Sequence, residues 1–109
     1  MSGEKLCKEA LAVLRLRLPT AKAARLVFYD EGSAPKGTDG DGPGYCRSTK
    51  RMFVIGVKRE KCHNCMLEAL IHEYAHARAW GSGQAASYDH DGHWGIELGR
   101  VYQEFTGMS

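Results

Sequence analysis

The chain predicts an α+β domain in which a small, mostly antiparallel sheet packs on a central helix and a second helix follows at the C-terminus. Three observations carry that expectation. Residues Met66 to Trp80, MLEALIHEYAHARAW, are rich in Leu, Ala, Met, Glu and Arg, contain neither Gly nor Pro, and so read as one long helix. Before it, Met52, Phe53, Val54, Ile55 and Val57 form the strongest strand signal in the sequence. After it, Trp94, Leu98, Val101, Tyr102 and Phe105 recur at helical spacing, giving an amphipathic helix from about His93 to Phe105. At 109 residues the chain supports a single domain, 1–109.

In chain order, Leu6, Ala10, Val13, Leu14 and Leu18 repeat every three or four residues, and Pro19 ends the helix they define. Lys5, Glu9, Arg15 and Arg17 suit its outer face. Arg25 to Tyr29, RLVFY, reads as a short strand. The segment 31–44, EGSAPKGTDGDGPG, is dense in Gly, Pro and Asp and predicts a flexible loop. Its glycines lack P-loop spacing and no Lys-Ser/Thr pair closes them into a helix, which excludes a phosphate cradle of that kind. Order returns from Tyr45 to Val57, taken as a single strand segment. Met66, Leu67, Leu70, Ile71 and Tyr74 supply the buried side of the long helix, which ends near Gly81, where the small and polar GSGQAASYDHDG begins.

Within the long helix stands His72-Glu73-Tyr74-Ala75-His76. Residues four apart on a helix share a face, so both imidazoles can reach one ion, with Glu73 beside it as a carboxylate able to take a proton. An HExxH match arises by chance in about one chain of this length in a hundred. The helical context lowers that risk, because two histidines and a glutamate on a central helix would be costly to bury without a role. Zinc suits such a site: two nitrogen ligands, a third protein ligand further on, and a fourth position open to water. His93, at the start of the following helix, is the first candidate for the third ligand. Glu97, His90 and Asp91 are the alternatives, and Glu97 could also orient a ligand histidine.

HEYAHARAW followed by DHDGHWGIEL resembles the SprT-like zinc metallopeptidases, a branch of the zincins. The Gly92-His93 pair falls where that family carries its third zinc histidine, while Trp94-Gly95-Ile96 departs from its commoner continuation. The resemblance covers about the C-terminal half. It implies a minimal zincin-like domain holding Zn2+ through His72, His76 and His93, with Glu73 as general base for peptide-bond hydrolysis. It also implies that the strand RMFVIGV borders the cleft and could offer its backbone to an extended polypeptide substrate. Tyr88, His90 and Tyr45 are candidates for stabilising the oxyanion. Two alternatives compete: a zinc-binding or assembly protein without turnover, and a DNA-associated SprT-like protease.

Composition narrows the partners. A formal charge of +2 with 26% charged residues makes no strong commitment to nucleic acid, although Lys50, Arg51, Lys58, Arg59 and Lys61 gather around one strand. No apolar run is long enough to cross a bilayer, and MSGEKLCKEA lacks a secretory pattern, so a cytoplasmic monomer is expected. Cys62-His63-Asn64-Cys65 has the C-x-x-C spacing of a zinc half-site or a redox dithiol. Completing a zinc site would require Cys46 and His63, and the expectation is reduced thiols near the first turn of the metal helix.

Overall fold

The computed structural model describes residues 2–33, 43–81 and 92–106, excluding the side chains of residues 81, 92–94, 105 and 106. The described elements are α1 (Gly3–Arg17), β1 (Ala23–Tyr29), β2 (Gly44–Ser48), β3 (Met52–Lys58), α2 (His63–Gly81) and α3 (Gly92–Thr106). The α+β class follows as expected, with three helices around one three-stranded sheet of order β1-β3-β2.

Ser2 caps α1 by accepting the Lys5 N–H at 3.1 Å, and Glu4 in the first turn with Arg15 and Arg17 in the last complement the helix dipole. The buried stripe is Gly3, Cys7, Ala10, Leu11 and Leu14. Leu6 and Val13 flank it half-buried, so the helix is turned about one residue from the stripe expected of it. The Leu18 N–H returns to the Leu14 carbonyl at 2.8 Å before Pro19 stops the helix.

The stretch from Tyr45 to Val57 is two strands, not one. Thr49 makes the corner: its N–H donates to the Met52 carbonyl at 2.8 Å, and its hydroxyl accepts the Met52 N–H at 3.1 Å. That short link forces β2 and β3 to pair antiparallel, Gly44 opposite Val57 and Ser48 opposite Phe53. The long connection after β1 lets β3 enter between the other two, so β1 and β3 pair parallel from Ala23–Met52 to Tyr29–Lys58. The sheet is therefore mixed, with the longer ladder parallel, rather than mostly antiparallel. Gly32, at φ 81°, takes the backbone through a left-handed turn as it leaves β1.

Strand alternation sorts the two faces of the sheet. Phe53, Ile55 and Val57 point toward the helices and join Leu14, Met66, Leu70, Ile71, Tyr74 and Val101 in one core. On the other face Tyr29 and Tyr45 stack 5.4 Å apart and nearly parallel, with the Tyr45 ring lying directly over Gly56 where any Cβ would stand. α2 lies on the core face as the central helix, and Val101 and Leu98 of α3 close against it. Among the described residues, no helix is long and apolar enough to cross a membrane.

Candidate metal centre

α2 runs unbroken for 19 residues, so His72 and His76 sit one turn apart on one face. Their rings meet edge-on at 64° with centroids 5.0 Å apart, and their Nε2 atoms approach to 3.3 Å. A single N–H···N bond would account for that spacing. So would a shared ion, because two nitrogens at about 2.0 Å from a tetrahedral zinc stand about 3.3 Å from each other. Glu73 joins them: the ligand atoms of His72, Glu73 and His76 all lie within 4.8 Å of one another, a grouping that could hold a metal ion. Glu73 and His76 are each only 7% exposed and His72 is half-buried, so the donors line a recess rather than an open surface.

The wall beside Glu73 is β2. Gly44 faces it so closely that a Cβ there would lie 3.3 Å from the Glu73 Cγ and 2.7 Å from the Gly56 carbonyl oxygen. Two residues along the same face is Cys46. Burial pushes its thiol up to about 12, with the Glu73 carboxylate adding to the rise and Lys22 opposing it. Neither Gly44 nor Cys46 stands out in the sequence as a neighbour of the site, since only the hairpin register brings them there. The alternating pattern of GYCRS was the available signal.

His93 is the second residue of α3, and its side chain lies outside the described residues. His90, Asp91 and Tyr88 also lie outside them. Glu97 is described, and it is occupied elsewhere. Buried at 7% exposure, it accepts from Arg78 Nε at 3.0 Å and lies 3.4 Å from Arg100. It does not belong to the His72-Glu73-His76 grouping.

Three further expectations change. Tyr45 points to the sheet face opposite the one Gly44 turns toward Glu73, so its hydroxyl does not serve this recess. The strand RMFVIGV is β3, paired on both sides, and has no free edge for a peptide. Cys62 and Cys65 are joined in a disulfide across a Cα separation of 5.2 Å, not held as reduced thiols. The close reach of a C-x-x-C pair in a first helical turn permits that bond locally, whatever the compartment.

Tyr74, between the two halves of the motif, is fully buried and donates its hydroxyl to the Leu18 carbonyl at 2.6 Å, tying α2 to the end of α1. Burial pushes its phenol up to about 12. Arg78 donates to the Pro19 carbonyl at 2.6 Å and to Glu97, so one guanidinium joins the α1–β1 link, α2 and α3 immediately beyond His76. Comparison with protein-family models, curated proteins and solved structures returns no match for this chain.

Proposed function

We propose that the chain is a small zinc metallopeptidase of the SprT-like kind, using His72 and His76 as ligands, His93 as the third ligand and Glu73 as the general base. The observation that carries this is the 3.3 Å approach of the two Nε2 atoms with the Glu73 carboxylate in the same group. Histidine nitrogens at tetrahedral spacing suit zinc, and His93 enters at the head of α3, the helix that Glu97 and Arg78 clamp to α2. Zinc bound there would supply a Lewis acid that polarises a carbonyl and acidifies water.

The protein's own part is proton transfer and positioning. Glu73 takes the proton from the attacking water and passes it to the leaving amine. Gly44 leaves room for that carboxylate against β2. Among the described residues no strand pairs with the outer edge of β2, the strand whose Gly44 faces Glu73, so an extended polypeptide can add there through main-chain hydrogen bonds. Binding of that kind tolerates many sequences.

The test is zinc content together with cleavage of an unfolded polypeptide. The protein should carry about one zinc per chain. Glu73→Gln should retain the metal and lose at least about a hundredfold in turnover, while His72→Ala and His76→Ala should lose the metal. A zinc-loaded wild-type protein inert toward a broad peptide library would instead favour a binding protein without turnover.

A further inference from the structure

The Cys62–Cys65 pair lies apart from the candidate metal centre, Cys65 preceding His72 by seven residues, or about 10 Å along the helix axis. Both cysteines are exposed. Cys62 is the N-cap of α2: its carbonyl accepts the Met66 N–H at 3.2 Å, and its sulfur accepts the Cys65 N–H at 3.1 Å. The other two thiols contrast with it. Cys7 is fully buried, and burial with the nearby Glu4 pushes it up to about 11; Cys46 is half-buried on the sheet face toward α2 and held at about 12. The accessible sulfur chemistry among the described residues is thus gathered in one pair already joined by a bond. A second metal site is not what this corner builds, because neither Cys46 nor His63 forms a grouping with the pair.

We infer that Cys62 and Cys65 form a reversible thiol–disulfide exchange site, with Cys62 the attacking sulfur and a disulfide-bearing peptide or small disulfide as its substrate. The Cys65 N–H that reaches the Cys62 sulfur in the disulfide, at the head of a 19-residue helix, would favour the Cys62 thiolate once the bond is reduced. It attacks a substrate disulfide; a Cys62–sulfur bond forms, the substrate S–S bond breaks, and one substrate thiolate leaves and takes a proton from water. Cys65, having lost its proton to solvent, then attacks the Cys62 sulfur and expels the second substrate thiolate. Two electrons pass from the Cys62/Cys65 dithiol to the substrate, and the product is the disulfide seen in the structure. A dithiol reductant reverses the sequence.

The full-length protein, reduced with dithiothreitol and then mixed with glutathione disulfide, provides the test. Acid-quenched wild-type samples should show a transient single glutathionyl adduct mapping to Cys62 and then the closed Cys62–Cys65 disulfide, with Cys7 and Cys46 unmodified. Cys65→Ser should accumulate the Cys62 adduct, and Cys62→Ser should form its Cys65 adduct at least about threefold more slowly. Equal rates in the two variants, a first adduct on Cys65, or a reduced pair that glutathione disulfide fails to close would each overturn the inference. The wild-type time course stands by itself should either variant fail to fold.

Discussion

Arg78 Nε lies 3.0 Å from Glu97 Oε1, joining α2 to α3 two residues beyond His76. With side-chain exposures of 17% and 9%, the pair is shielded enough that removing one partner strands a charge. Glu97→Ala should therefore destabilise the fold by about 3 kcal/mol in urea titrations. Because Glu97 is engaged by arginine, the folded variant should keep its full metal content. Loss of metal from a still-folded Glu97→Ala protein would make the carboxylate a ligand and remove His93 from that place.

Gly44 sets the room available to Glu73. Adding a methyl group in Gly44→Ala puts carbon 2.7 Å from the Gly56 carbonyl oxygen and 3.3 Å from the Glu73 Cγ, so the start of β2 must move outward and the carboxylate with it. A stability cost of about 1–3 kcal/mol is expected. On the proposed chemistry, turnover should fall by at least about tenfold while metal binding through His72 and His76 persists. A variant whose turnover matches wild type would separate β2 from the chemistry of the site.

The sequence made the helical parts of this site legible and left the sheet-borne parts obscure. His72, Glu73 and His76 share a helix, so their meeting depends only on the 3.6-residue turn. The buried Met66, Leu70, Ile71 and Tyr74 follow from the same local rule. Gly44, by contrast, reaches Glu73 only because Thr49 turns the chain into a hairpin and β3 enters beside β1. Local patterns do not encode that order; reading Tyr45 to Val57 as one strand concealed the hairpin and led to the wrong free edge. Glu97 shows the same limit, since nothing in its own helix says that Arg78, 19 residues earlier, would claim it.

On the outer face, Gly56 and Tyr45 make a pair open to a cycle of substitutions. The Tyr45 ring occupies the place of a Gly56 side chain and rests against Tyr29. Gly56→Ala alone should cost about 1–3 kcal/mol, because the ring must leave its stack. In a Tyr45→Ala background the same alanine should cost much less, leaving a coupling energy of about 1 kcal/mol or more by double-mutant cycle. Additive costs would mean that the penalty arises in the β3 backbone rather than beneath the ring.

Three weak acids held wholly or partly out of solvent make the fold sensitive to alkali. Tyr74 is raised from 10.0 to about 12, Cys46 from 9.0 to about 12 and Cys7 from 9.0 to about 11, in each case chiefly by burial. Below about pH 8 all three hold their protons in both folded and unfolded chains, and they contribute no pH dependence. Above that, the unfolded chain releases protons that the folded chain retains, so the folded state binds more protons and stability falls as pH rises. Each group adds a slope of up to about 1.4 kcal/mol per pH unit until its folded value is passed. Chemical denaturation between pH 7 and 11 should show stability flat up to about pH 8 and then declining. Tyr74→Phe should flatten the upper part of that decline, and Cys46→Ala should flatten its whole length, whereas an unchanged curve in both variants would place the alkaline sensitivity elsewhere.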